Sequence, residues 1–382
     1  MTHLRGISGY GVSMSEVASH SFRRLPEVLL KQLWARLRFG YGPEVFFLFD
    51  MQNRPIKTWS SYIPSGNRAA KALRAVNNKN RRAYTTTDKL ATADRLRLAN
   101  VPCAEILGVV GRTDSTFQLN GNYRFIQDNE SLVAFLNSPE CPGSLFFKPA
   151  WGQKGQGVLS ASQLRTGWKV GVEEVTPQAL AARVFGESDR YGRLIQPVLR
   201  NHSEIEQITG NVGLSTVRLV TACTKDGPKV LVATQKLIGE RSLADNFLGG
   251  ATGNLIASVD IRSGALGLCY GRRKGDRYLM TQYDSHPVTG CRVLGVVLPY
   301  WQKTLEVAAA AAQALEDEPF LGFDVAITDE GPVVLEANND WSWALPQITA
   351  RMGGRAIFGD VLNLLKIPEV DRASAINSIF GR

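Results

Sequence analysis

Nothing in the chain approaches the run of about eighteen apolar residues that a membrane-crossing helix requires. The N-terminus lacks the basic-then-apolar pattern of a secretory signal, so a cytoplasmic location is expected. The 5 cysteines (Cys103, Cys141, Cys223, Cys269 and Cys291) are scattered, odd in number and never form CxxC. That argues against a disulfide framework or a cysteine-based zinc site and fits a reducing compartment. The 4 histidines are equally dispersed and build no HExxH or similar ligand set.

At 382 residues and 44% hydrophobic, the chain can bury a substantial core, in two or three packed units. Its net charge of +9 is unevenly placed: residues 1–83 hold 14 of the 44 Lys and Arg but 4 of the 35 Asp and Glu. The remainder is close to neutral. Such a block can face anionic lipid, nucleic acid or an acidic partner, or be a solvated helical surface. Here the basic residues are interleaved with core-like aromatics, which favours the solvated surface. After a Gly- and Ser-rich start, Leu25, Val28, Leu29, Leu33 and Leu37 recur at helical spacing, so Pro26 to Arg38 reads as an amphipathic basic helix. Glu44 to Asp50 reads as a strand or a buried helical turn, and about Asn67 to Val76 as a second basic helix. This region carries little catalytic chemistry, and its expected work is packing or docking.

The informative chemistry lies near the other end. Leu321, Phe323, Val325 and Ile327 alternate with small or polar residues, Pro332 to Leu335 forms a second apolar run, and Asp329-Glu330-Gly331 between them signals a tight turn. Inside this hairpin stand Asp324, Glu336 and Asn338, the last two spaced to share a strand face. Buried carboxylates are costly without a positive partner. Three oxygen donors converging from paired strands suit Mg²⁺, which takes one or two carboxylates plus waters and substrate phosphates. Pairing of Asp324 and Glu336 with surface Arg or Lys is the other reading.

A second stretch, Ser144 to Val158, runs from a strand ending at Lys148 into a loop with Gly152, Gly155 and Gly157 and then into another strand. Glycines let backbone N–H groups close on a phosphate. The strand–loop–strand setting differs from a P-loop or a Rossmann turn, both of which lead into a helix. Upstream, Thr85 to Lys89 opens a helix with Thr87 or Asp88 as its N-cap, and Lys89 near that start is either an ordinary surface lysine or a cation that attracts an anion together with the helix N-terminus. Arg193 to Leu199 is extended, and Pro197 marks a strand leaving its sheet, a hinge whose backbone can meet a purine edge. Arg218 lies mid-strand in Ser215 to Thr221. Strands over Lys229 to Lys236 and Asn254 to Ile261 and a helix over Pro299 to Glu316 complete the pattern.

In order and spacing these pieces resemble the ATP-grasp superfamily, and more narrowly its sugar-transfer-associated group. The residues carrying the likeness are Asp88-Lys89, Phe147-Lys148-Pro149, Ile195-Gln196, Asn201-His202, Thr216-Val-Arg218, Asp245-Asn246 with Gly249-Gly250, His286-Pro287, Pro299-x-Trp301, and Phe323-Asp324 to Glu336-x-Asn338. The resemblance implies an α+β ATP-grasp fold, two lobes clamping a nucleotide, with residues 1–83 as a basic helical extension. The domain would span 84–348 (first lobe 84–200 with the glycine-rich flap, second lobe 201–348 with the metal site), followed by a helical segment at 349–382.

It further implies an ADP-forming ligase that activates a carboxylate as an acyl-phosphate for attack by an amine or other nucleophile, in glycan or cell-surface sugar metabolism. ATP and Mg²⁺ (or Mn²⁺) would be the cofactors. Lys89 and Lys148 would neutralise the α- and β-phosphates, and the flap at Gly152, Gly155 and Gly157 would cover the γ-phosphate. Gln196, Pro197 and Leu199 would meet the adenine. Asp324, Glu336 and Asn338 would hold the metal, and Arg218 would stabilise the acyl-phosphate. Pro197 replaces an acidic residue common at the hinge, which leaves the ribose to Asn201 or Glu204. Trp341 and Trp343 follow Asn338 where dipeptide ligases have a Pro-Gly turn; they either shape an acceptor pocket or pack in the core. The partners expected are small-molecule substrates and not nucleic acid, with residues 1–83 open to a peripheral membrane or protein contact. A small-molecule kinase and a non-catalytic ATP-binding scaffold at a membrane are the alternatives.

Overall fold

The computed structural model describes residues 13–18, 22–64, 71, 75, 77, 85–115, 119–152, 157–210, 213–239 and 244–359. Most of the expected second basic helix, Gly155, and residues 360–382 fall outside this set. The helices used below are α1 (Leu25–Phe39), α2 (Pro43–Leu48), α3 (Lys89–Leu98), α4 (Asn129–Leu136), α5 (Pro177–Gly186), α6 (Ser203–Thr209), α7 (Trp301–Ala314), α8 (Ala344–Thr349) and α9 (Gly354–Ile357).

Among the described residues two sheets of 7 strands each organise the chain, the first mixed through its parallel β1–β2 pair and the second antiparallel throughout. The first contains β1 (Gly108–Val110), β2 (Phe125–Ile126), β3 (Ser144–Pro149), β4 (Leu159–Leu164), β5 (Gly167–Val170), β6 (Glu173–Val175) and β7 (Arg193–Pro197), in the order β2-β1-β7-β3-β4-β5-β6. The second contains β8 (Thr216–Thr224), β9 (Gly227–Leu237), β10 (Leu255–Val259), β11 (Leu266–Gly271), β12 (Thr281–Tyr283), β13 (Phe320–Thr328) and β14 (Gly331–Asn338), in the order β12-β11-β10-β9-β8-β13-β14. The hairpin expected at Phe320 to Asn338 is β13–β14, turning at Asp329-Glu330. The short strands β2, β5, β6 and β12 and the helix α5 have no counterpart in the sequence reading. Most are too short for an apolar period to show above background.

Strand alternation decides what each face of the second sheet does. Val217, Leu219, Leu321 and Phe323 point to one side and pack against Val307, Ala308, Ala311 and Ala312 of α7, whose small side chains let helix and sheet approach closely. Their neighbours Thr216, Arg218, Gly322 and Asp324 occupy alternate positions and so belong to the opposite face. On that face the polar residues lie between two apolar clusters. Val220, Ala222 and Phe320 pack with Trp341, Trp343 and Phe358. Ile256 and Tyr270 pack with Phe46, Phe47, Phe49 and Trp59 of the N-terminal segment. The tryptophans at 341 and 343 are therefore core residues, 2% and 1% exposed.

In the N-terminal segment one alternative is decided and one expectation is corrected. Of the two readings open for Glu44 to Asp50, the buried helical turn is the one present, as α2: Pro43 opens it at a position where a missing N–H costs nothing, and Phe46 and Phe47 are buried. In α1 the buried side is Val28, Gln32 and Ala35, whereas Leu29, Leu33 and Leu37 face outward. The hydrophobic period was sound for helix but pointed at the wrong face.

Asp88 is the N-cap of α3, accepting from the Leu90 and Ala91 amides at 2.9 and 3.2 Å. It also accepts from Arg112 Nη2 at 2.6 Å, with both side chains nearly inaccessible. Replacing Asp88 by alanine removes the cap and the shorter ion pair of the buried Arg112 guanidinium, leaving its Nη2 to the Asp114 carboxylate at 3.4 Å. The expected loss is about 3 kcal/mol or more in urea unfolding, whereas Thr87→Ala should be close to neutral.

Candidate functional site

Between the two sheets lies a cleft of ≈ 460 Å³. Its first wall is Phe146, Lys148 and Pro149 of β3, the hinge from Gln196 to Leu199, and the flap ends at Trp151 and Gly152. Its second wall is Thr216, Asp245, Asn246, Asp324, Leu335 and Glu336.

Two lysines enter from the first-wall side. Lys89 is the first residue of α3, and its Nζ donates to the Gly152 carbonyl at 2.6 Å. Lys148 Nζ reaches across to the Leu335 carbonyl at 3.4 Å. The crossing depends on a bulge: β13 and β14 pair Asp324 with Glu336 but Val325 with Val334, so Leu335 is the extra residue. Bulges re-aim the chain locally, and this one turns a carbonyl toward Lys148. Burial disfavours both ammonium charges while Glu336 supports them; Lys148 is brought down to about 8, and Lys89 is lowered as well.

The carboxylates form a row across the sheet. Glu336, Asp324 and Arg218 are direct partners on adjacent strands. Arg218 grips Asp324 with both arms, Nε to Oδ1 at 2.7 Å and Nη2 to Oδ2 at 2.8 Å. Lys236 Nζ stands 3.1 Å from Asp324 Oδ1 and 2.9 Å from Asp245 Oδ1. Asp245 Oδ2 in turn accepts from the Thr216 amide at 2.8 Å. Burial opposes the Asp324 charge, but the two cations override it and hold the carboxyl well below the usual carboxylate range. Burial likewise opposes the charges of Arg218 and Lys236, yet their carboxylate partners raise both. Asp245 moves the other way: burial, helped by Asp324, outweighs Lys236 and raises it.

Lys89, Lys148, Gly152, Gln196, Pro197, Leu199, Asp324 and Glu336 thus line one cleft. Arg218 stands behind the lining with its Nε and Nη2 committed to Asp324. Asn338 also stands behind it, and its Nδ2 lies 3.4 Å from Glu336 Oε1. Gly157 marks the far end of the flap, its carbonyl taken by Arg193 Nη2. The two ribose candidates do not reach the cleft. Glu204 is exposed in the first turn of α6, where a linker was expected. Asn201 is buried and bonded twice to the Ser215 backbone, at 2.7 Å each way. Asp189 does line the cleft, near the Trp151–Tyr191 stack. It went unnoticed because nothing in its local sequence separates it from a surface turn. Lys236, at the end of an apolar strand, carried a signal that could have been used: a lysine there needs a buried anion.

Among the described residues no group of three His, Cys, Asp or Glu side chains is assembled for a metal. Two carboxylates and one amide nonetheless fit Mg²⁺ when phosphate oxygens and water complete the shell. Among the described residues no cation is in bonding contact with Glu336, which is turned to the cleft, whereas Asp324 is already neutralised by protein.

Residues 68–359 match the sequence pattern of the sugar-transfer associated ATP-grasp family. The chain belongs to that family. No curated protein sequence matches it. Solved structures with a similar fold include a putative ATP-grasp superfamily protein from Archaeoglobus fulgidus, 11% identical over 74% of this chain and 56% of that one, with a TM-score of 0.34. A second is the VanG D-Ala:D-Ser ligase from Enterococcus faecalis, at 12% over 74% and 62%, with a TM-score of 0.41. A third is a biotin carboxylase from Campylobacter jejuni, at 12% over 78% and 47%, with a TM-score of 0.41. The likeness takes in less than two thirds of each of those proteins. In this ATP-grasp protein the α+β fold expected from sequence is present as two sheets flanking a cleft.

The lowered Lys148 has a measurable consequence. A buried lysine at about 8 is protonated at neutral pH and largely neutral one unit above its midpoint. An anion that relies on that charge should bind about tenfold more weakly at about pH 9 than at about pH 7. Isothermal titration with ATP across that range checks this, and the Lys148→Met variant should bind weakly with little of the pH dependence.

Proposed function

We propose that the protein is an ATP- and Mg²⁺-dependent ligase that activates a carboxylate as an acyl-phosphate for attack by an amine or another nucleophile. The observation carrying this reading is the convergence of Lys89 and Lys148 from one side, and Asp324 and Glu336 from the other, on a single cleft between two sheets. Phosphoryl transfer needs positioning and charge neutralisation more than a covalent protein group, and the cleft is built from those two things.

Lys89 and Lys148 hold the phosphates of ATP, and the hinge from Gln196 to Leu199 holds the adenine. Lys89 already tethers the near end of the flap through Gly152, so phosphate arrival and flap position compete for one ammonium group. Glu336, with Asp324 and Asn338, would hold Mg²⁺, which supplies neutralisation of the phosphate oxygens. Arg218 acts through Asp324: its two-point grip keeps that carboxylate ionised and fixed. The substrate carboxylate oxygen bonds to the γ-phosphorus as the bond to the β-phosphate oxygen breaks, releasing ADP. The nucleophile then bonds to the acyl carbon, phosphate departs with the C–O electron pair, and the nucleophile's proton passes to solvent. The acceptor chemistry is assigned to glycan or cell-surface sugar metabolism on the strength of the family's sugar-transfer association.

ADP release should require ATP, Mg²⁺, a carboxylate and a nucleophile together, read by a coupled assay across a panel of acids and amines. ADP formed with a hydroxyl acceptor alone, leaving a stable phosphorylated product, would make it a kinase. Glu336→Gln should fold normally and lose more than about 100-fold in turnover. ATP with Mg²⁺ should raise the melting temperature of the wild type by mass action, and Lys148→Ala should show little rise. No rise in wild type at saturating nucleotide would favour a non-catalytic role.

A further inference from the structure

The apolar stripe that the sequence led us to expect inside the protein lies outside it. Leu29, Leu30, Leu33, Trp34 and Leu37 of α1 are between 47% and 68% exposed. At 100° per residue they occupy one continuous arc, opposite the arc of Val28, Gln32 and Ala35 that packs into the core. α1 therefore has two apolar faces. Five large side chains along one helix exceed the scattered exposure normal for a soluble surface and mark a contact site.

Charge says what kind of contact. Arg36 borders the arc on one side, and Arg38 and the Glu27–Lys31 pair border it on the other. Arg23 and Arg24 stand exposed just before the helix. The surrounding segment, residues 1–83, carries all of the positive surplus of the chain. A second copy of this face would bring arginine against arginine across a low-dielectric seam, which is unfavourable. A lipid surface rich in anionic headgroups meets both demands, since it takes leucine and tryptophan below the headgroups and basic side chains among them. At 15 residues α1 is about 22 Å long, and no helix among the described residues is long and apolar enough to cross a membrane. Its geometry is that of a helix lying in the interface.

We propose that the outer face of α1 docks the protein on anionic membrane surfaces, with the leucines and Trp34 inserted and Arg23, Arg36 and Arg38 at the headgroups. This surface is separate from the nucleotide cleft and does not depend on the ligase reading.

The test uses the full chain and sucrose-loaded vesicles of either equimolar phosphatidylcholine and phosphatidylserine or phosphatidylcholine alone. The wild type should sediment with the anionic vesicles, weakly or not at all with the neutral ones, and less as salt is raised. Combining Leu30→Gln, Trp34→Gln and Leu37→Gln changes exposed positions only and should leave the melting temperature near that of wild type. It should lower vesicle partitioning by at least about tenfold. Arg23→Gln with Arg38→Gln should lower it on anionic vesicles as well. Wild-type protein remaining in the supernatant would overturn the proposal, as would equal binding by the triple glutamine variant. Self-association in sedimentation velocity that the triple variant abolishes, without vesicle binding, would instead assign the face to a second copy.

Discussion

An ionised carboxylate in the middle of a wholly buried strand has to be compensated, and much of this molecule is arranged around compensating Asp324. Every residue of β13 is buried. Arg218 on the neighbouring strand and Lys236 one strand further supply two cations within 3.1 Å. Lys236 then needs Asp245, and Asp245 needs the Thr216 amide. Removing one member of such a network leaves a buried charge unpaired, which costs more than the intact network contributes. The cluster is therefore weak as a source of stability and strong as a constraint on register. A one-residue slip of β13 against β8 would turn Asp324 into the α7 side of the sheet.

That constraint sets up the cleft. With Asp324 fixed, the β13–β14 register places Glu336 beside it, and the bulge at Leu335 turns a backbone carbonyl toward Lys148 of the other sheet. The two sheets thus meet through polar contacts at the cleft, and apolar packing lies to either side. The N-terminal segment completes the arrangement by covering Ile256 and Tyr270 with its aromatic cluster. It extends the core of the second sheet and exposes a different face of α1 to solvent.

Legibility in the sequence followed the length of the pattern. The β13–β14 hairpin, β8, β9, α3 and α7 were readable because each carries several repeats of an apolar period bounded by turn or cap signals. α6 was missed because Pro197 and the polar run after it read as a linker, although His202 accepts from the Glu204 amide to begin a short helix. That error carried Glu204 into the ribose assignment. Lys148, Arg218, Asp324 and Glu336 were found because each is a charged side chain that interrupts a strand, although Lys236, which does the same, was passed over. Asp189 was missed because it interrupts nothing.

The sequence by itself determined the family, the order of the elements and the residue types of the site. Charges inside apolar strands and glycines after a strand lysine are chemical choices visible without coordinates. Only the tertiary structure decided partners. Arg218 was expected at a reacting group and is bound to Asp324, Trp341 and Trp343 went to the core, and the leucine stripe of α1 faces outward. The reason is physical. Periodicity reports which residues share a face, but whether that face meets the core, a ligand or solvent depends on distant segments that local sequence does not name.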